Sequence, residues 1–216
     1  MPNSSGAGSH PEKSPGQSLF EAERISNAAW GFTTRRVPVD RSYRISHGSI
    51  TPRAGDLVLA RVERLGHHRG LQLITGRKKN LFPGDEIVVA YGNRYAPSQF
   101  EAVVPKTLGP CDLVAGGGVA AKALSWHTRI SRGPSAITPI GLILDADGDR
   151  VNLSDYTIER STQLSAALPT TIAVIGTAMD AGKTETAARL VRGLKQAGLR
   201  IGFAKVTGTG AGGANR

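Results

Sequence analysis

A single cysteine, Cys111, among 216 residues leaves no intramolecular disulfide to hold the fold and points to a reducing compartment. Its neighbours Gly109-Pro110 favour a turn, and nothing nearby makes it a nucleophile. Aromatic residues make up only 5% of the chain, few for a base-stacking platform. No apolar run is long enough to span a bilayer. The start, Met1-Pro-Asn-Ser-Ser-Gly, lacks the charged-then-apolar layout of a secretory signal, so the cytoplasm is the expected location. No Asp or Glu follows Glu185.

What the chain has in excess is positive charge, +10 overall. Eleven basic residues lie between Arg35 and Lys79: Arg35, Arg36, Arg41, Arg44, Arg53, Arg61, Arg64, Arg69, Arg77, Lys78 and Lys79. Only Asp40, Asp56 and Glu63 oppose them, so the window carries +8. Such an excess attracts polyanions, nucleic acid among them, or forms a solvated face with no partner.

Composition divides the chain into four parts. Residues 1–17 are Ser, Gly, Pro and polar, with no apolar anchor, and read as a disordered tail. Ser18-Leu-Phe-Glu21 has the form of a capping box, predicting a short helix to Trp30 and a linker within 18–35. Residues 36–160 read as a β-rich module. Candidate strands are Leu57–Val62, Leu71–Thr75, Glu86–Ala90, Glu101–Val104, Leu113–Ala115, Ile137–Leu144 and Val151–Leu153. In the first, Val58, Ala60 and Val62 alternate with Leu59, Arg61 and Glu63, giving one wetter face. Gly66–Gly70, Pro83–Asp85 and Asp145–Asp149 are turn sequences suited to hairpins. A small barrel or sandwich is expected, and a five-stranded barrel of the oligonucleotide-binding type would fit.

Residues 168–216 change character again. The apolar run Thr171-Ile-Ala-Val-Ile175 precedes Gly176-Thr-Ala-Met-Asp-Ala-Gly-Lys183-Thr184, and Ala187, Leu190, Val191 and Leu194 follow at helical spacing. Gly198 stands where a helix would stop, and Ile201–Lys205 reads as the next strand. This order of strand, glycine loop, helix and strand is the context of a Walker A phosphate-binding loop (P-loop), whose N–H groups and helix N-terminus face negative charge. Gly176, Thr177, Asp180, Ala181, Gly182, Lys183, Thr184 and Glu185 are then the nucleotide-binding candidates. Lys183 would reach the β- and γ-phosphates, and the Thr184 hydroxyl would ligate Mg²⁺. The expected cofactors are ATP and Mg²⁺.

The loop has five residues between Gly176 and Gly182, one more than the common form. That spacing resembles the dethiobiotin synthetase-like branch of P-loop proteins, whose loop reads Gly-Thr-Asp-x-x-x-Gly-Lys-Thr. Ala178 stands where the family has aspartate. The family also carries a lysine at the end of the following strand, and Lys205-Val-Thr-Gly208 occupies that place, with Val206 replacing a proline. The resemblance implies that Lys205 joins Lys183 as a catalytic residue, helping to bind substrate and stabilise charge during phosphoryl transfer or an ATP-dependent ligation. The loss of the carboxylate at 178 separates this chain from the family's own ring-closing chemistry.

The expected architecture is therefore α/β joined to β: a β-rich barrel-like module followed by an incomplete βαβ unit. A doubly wound nucleotide domain needs more parallel strands. The segment is thus expected to be part of a truncated domain, or to dock on the N-terminal module or on a protein partner. A small acidic substrate is the expected acceptor in a complete enzyme. Three other features predict structure, not chemistry. Asp145, Asp147 and Asp149 lack the later glutamate of a calcium loop. Gly116-Gly-Gly118 could cradle phosphate, yet it lacks the spaced glycines and acidic partner of a dinucleotide fingerprint and reads as a tight turn opening a short helix toward Leu124. His47, His67, His68 and His127 offer no metal-selecting spacing.

Overall fold

Apolar residues in the central part of the chain recur at alternate positions, so each extended run presents a face that only a neighbouring strand and a shared core can cover. The structure, a computed structural model, describes residues 15–46, 48–159, 169–206 and 208. Helix α1 (Pro15–Asn27) opens it, followed by β1 (Ala29–Trp30), β2 (Arg44–Ile45) and β3 (Leu57–Arg64). Next come β4 (Gly70–Gln72), β5 (Lys78–Asn80), β6 (Glu86–Tyr91), β7 (Arg94–Tyr95) and β8 (Phe100–Val103). Strands β9 (Cys111–Ala115), β10 (Val119–Trp126) and β11 (Ser135–Leu144) complete the sheet, and helix α2 (Lys183–Gln196) follows much later.

Five of these strands close on themselves. β6, β3, β11, β9 and β10 pair in that order, and β10 returns to β6 in a parallel pairing of Val119 with Ala90 and Ala120 with Tyr91. Closure leaves none of the five as a bare edge. β11 is long enough to serve three neighbours because it bends. Its register shifts between Pro139 and Gly141, and a Cβ at Gly141 would lie 2.4 Å from Ile45 Cγ2 and 2.5 Å from the Ser46 carbonyl. Proline and glycine at such a bulge let the strand turn from β3 toward β2.

The alternation along β3 splits its side chains between two cores. Val58, Ala60 and Val62 join Ile87, Val89, Tyr91, Leu113 and Ile137 inside the ring. Leu57 and Leu59 turn outward, yet they stay buried beneath Ile25 of α1, Trp30, Val37 and Tyr43. The outer face of β3 is therefore wet only from Arg61 onward, and the expected single wet face is corrected at Leu59. Each fully buried Leu or Ile contributes about 1.5–3 kcal/mol, so α1 is held mainly by this contact. Two polar ties add direction. The Glu21 carboxylate accepts from the Ile45 N–H at 3.2 Å, and Arg24 donates twice to Glu86, at 2.8 and 2.6 Å. Arg24, followed by Arg61, holds the Glu86 carboxyl below its usual range.

Several sequence expectations need correction. Helix α1 begins at Pro15, so Ser18 lies inside it and Glu21 bonds across to β2 instead of closing a capping box. Trp30 is in β1, not in the helix. The run after Gly116–Gly118 is strand β10, not a helix. Val151–Leu153 forms no strand. Asn152 makes an isolated bridge to Asp56, and a 3-10 turn takes over at Leu153–Tyr156. Gly66–Gly70 and Pro83–Asp85 link strands that are not paired with each other, so neither is a hairpin turn. Asp145–Asp149 is one: Asp145 Oδ1 accepts from the N–H groups of Asp147 and Asp149. Of the expected tail, residues 1–14 lie outside the described residues.

Candidate nucleotide-binding site

The spacing of Ala187, Leu190, Val191 and Leu194 gives α2 one apolar stripe, of which Ala187 is buried and the others are half-buried. Its two ends follow from two glycines. Gly182 sits at the N-cap with φ 78°, a conformation that costs a glycine little. At the other end Gly198 has φ 80°; its N–H donates to the Lys195 carbonyl and that of Leu199 to the Leu194 carbonyl. This is the Schellman arrangement, and it places the helix stop where the sequence predicts it.

The loop before α2 carries the predicted site residues together. Lys183, the first helical residue, folds its side chain back over Gly176: a Cβ there would meet Lys183 Cγ at 3.0 Å and Cδ at 3.2 Å. Its ammonium donates to the Ala178 carbonyl. Gly176 and the Ala178 carbonyl thus hold the lysine side chain against the loop. Asp180 adopts φ 62°, which an aspartate tolerates better than most residues. Among the described residues, no acceptor takes the backbone N–H of any residue from Thr177 to Glu185; the first such bond runs from Thr186 to the Gly182 carbonyl at 2.9 Å. A row of unpaired N–H groups at a helix N-terminus, with a lysine ammonium beside it, is an environment for anionic oxygen.

Thr184 and Glu185 are exposed on the first turn of α2. Glu185 pairs with Arg189 at 2.7 Å, a surface contact of little energetic weight. Lys205 is not brought to the loop: it is exposed, and among the described residues no hydrogen bond or ion pair ties it to the glycines. The segments around the helix form no strand ladder among the described residues, so a βαβ unit is not seen. Ile175 is 87% exposed and Val206 92%. Extended apolar segments need neighbouring strands for both their N–H groups and their side chains, and the described residues supply neither.

One contact had no signal in the sequence. Ser98, between β7 and β8, donates its hydroxyl to Asp180 of the loop across 82 residues of chain. Arg94 of the same hairpin donates to Gln99 Oε1 at 2.7 Å. Burial pulls its guanidinium pKa down, while the charge of Asp180 opposes that effect. Among the described residues no group of three or more His, Cys, Asp or Glu is placed to hold a metal, and no helix is long and apolar enough to cross a membrane. Comparison with protein-family models, curated proteins and solved structures finds no match to this chain.

Proposed function

We propose that the loop from Gly176 to Glu185 binds the polyphosphate of a nucleoside triphosphate, in the manner of a Walker A loop. The observation that carries this reading is the Lys183 ammonium lying over a glycine-shaped loop whose N–H groups have no acceptor of their own. Bound phosphates would replace the Ala178 carbonyl as the partner of Lys183 and give those N–H groups their acceptors. The residues present fit an ATP phosphate chain, and the Thr184 hydroxyl is the group that would hold its Mg²⁺. The metal would supply charge neutralisation on the phosphates. ATP is the nucleotide proposed, with phosphoryl transfer or ATP-dependent ligation as the reaction class and Lys205 orienting an acidic acceptor. Lys205 would come into play once its segment pairs with further strands. The exposed Ile175, Phe203 and Val206 support such a covering layer, supplied in cis or by a protein partner.

Titration with a fluorescent ATP analogue and Mg²⁺ tests this. Lys183→Ala is expected to lower affinity at least about tenfold, the loss of one strong charge-assisted contact. Unchanged affinity in a protein that binds nucleotide would refute the P-loop reading.

The five-strand closure favours a second reading, in which the basic β module binds nucleic acid. Five of its eleven clustered cations are already engaged, however. Arg35 lies 4.4 Å from the Phe32 ring centroid, Arg36 and Arg64 donate to carbonyls, and Arg61 and Lys79 pair with Glu86 and Asp85. A labelled oligonucleotide showing no salt-dependent binding at low ionic strength would remove this reading.

A further inference from the structure

Between the β4–β5 hairpin and the turn from β9 to β10 lies a cleft of about 420 Å³, lined in part by His68, Arg69, Lys78, Gly116 and Gly117. The turn is fixed from behind. Gly116 O accepts from the Gln72 N–H at 2.7 Å and Gly117 O from the Thr33 N–H at 2.9 Å. Gly118 O accepts from the Thr33 hydroxyl at 2.6 Å, and the Gly118 N–H donates to Ala115 O at 3.0 Å. A Cβ on Gly118 would come within 3.0 Å of Gly31 Cα, so the turn is also pinned by contact. With every carbonyl committed, the N–H groups of Gly116 and Gly117 have no acceptor among the described residues. Gly117 is buried, where an unsatisfied N–H is costly.

The other cleft groups complement these donors. Lys78 crosses Gly70, where a Cβ would meet its Cε at 2.7 Å, and Arg69 is its companion cation on the rim. His68 supplies the opposite capacity. Its Nε2 lies 3.1 Å from the Val114 carbonyl, which can only accept, so Nε2 carries the proton. Burial, helped by His67, pushes the imidazole down to about 4, and the neutral ring keeps a lone pair on Nδ1. That atom lies 3.6 Å from the position of a Cβ on Gly116. The cleft therefore offers two cations, two amide donors and one hydrogen-bond acceptor side by side.

We propose that this cleft is a second ligand site, taking a small phosphate monoester that carries a hydroxyl group within reach of His68 Nδ1. Two cations match a dianionic phosphate better than a single-charged carboxylate, and the amides of a pinned glycine turn bind its oxygens without reorganisation. The site is independent of the nucleotide reading.

The test is a titration of the isotope-labelled full chain with ribose 5-phosphate, followed by NMR at the Gly116 and Gly117 amides and at His68 Nδ1. A saturable shift of all three is expected, with inorganic phosphate moving only the amides. Arg69→Gln and Lys78→Gln together, both on exposed side chains, should weaken binding at least about tenfold, as expected for two charge-assisted contacts. Lys183→Ala should leave it unchanged. The proposal is overturned if the amides do not saturate or if acetate binds as tightly as phosphate. It is equally overturned if the double variant binds normally or if Lys183→Ala abolishes the shifts, which would place the only anion site at the P-loop.

Discussion

Asp56 is 1% exposed, and its carboxylate gathers three donors at the mouth of β3. Oδ2 accepts from the Arg53 N–H at 2.8 Å and from Arg150 Nη1 at 3.2 Å, and Oδ1 accepts from Asn152 Nδ2 at 2.8 Å. These bonds fasten the chain after β11 to the start of β3, beside the Leu57 N–H to Val151 O bond of 3.0 Å. Asp56→Ala would strand the three donors unequally. Arg150 is 29% exposed and also donates to the Thr51 carbonyl, so it can rehydrate. Asn152 keeps a bond to the Ala54 carbonyl at 3.1 Å. The Arg53 N–H loses its only acceptor among the described residues. A hydrogen bond to a charged group contributes about 1.5–3 kcal/mol, and breaking a fully buried ion pair costs about 3–5 kcal/mol. Partial rehydration of Arg150 places the expected loss near 3 kcal/mol, within those two ranges. Urea denaturation followed by tryptophan fluorescence reads it, because the chain's two tryptophans, Trp30 in β1 and Trp126 in β10, both lie on strands of the large sheet. At a slope of about 2 kcal/mol/M the midpoint should fall by about 1.5 M. A fall below about 0.3 M would show that the Asp56 cluster does not anchor the closing segment, and the reasoning would fail.

Gly66→Ala should be at least as damaging, since its Cβ would lie 2.2 Å from the Pro134 carbonyl oxygen, backbone that cannot yield. A loss above about 2 kcal/mol is expected in the same assay, and near-wild-type stability would contradict the packing described. His68 gives a pH signature. Its folded pKa of about 4 lies below the ordinary 6.5, so its contribution is fully present above pH 6.5 and is lost as pH falls toward 4. His67, Arg94 and Lys78 face it and act in the same direction. At 1.36 kcal/mol per pH unit the loss is at most about 3 kcal/mol, and His68→Gln should remove that limb of the stability profile. Cys111 is buried, with its thiol pushed up to about 12 by burial and then by the Asp112 charge. It should resist thiol reagents at pH 8 until the module unfolds; immediate labelling of the native chain would contradict its place in the core.

The loop and helix at 176–196 were legible because their signals are local. Glycine conformation, a 3.6-residue apolar stripe and a helix-stopping glycine each act within a few residues of themselves. β3, β6 and β11 were legible for a similar reason, being rich in β-branched and aliphatic residues. β10 was not. Val119-Ala-Ala-Lys-Ala-Leu is rich in good helix formers, and pairing with β8, β9 and β6 overrides that preference. A small barrel was among the expected forms, but the strands that close it were unreadable, since closure rests on two residue pairs between strands about thirty positions apart. The glycines at 116–118 could be read as a phosphate cradle, but the cleft was hidden because His68 and Lys78 meet them only when β4, β5 and β9 are assembled. Local turn chemistry explained each of them separately without bringing them together.

The most direct test of the P-loop reading is the set of backbone amide resonances from Thr177 to Glu185 during titration of the full chain with MgATP. If these N–H groups bind phosphate, they should shift downfield together and saturate, and Lys183→Ala should raise the ligand concentration needed at least about tenfold while leaving the β-module resonances in place. Amides that stay unmoved while nucleotide binds elsewhere on the chain would contradict the account.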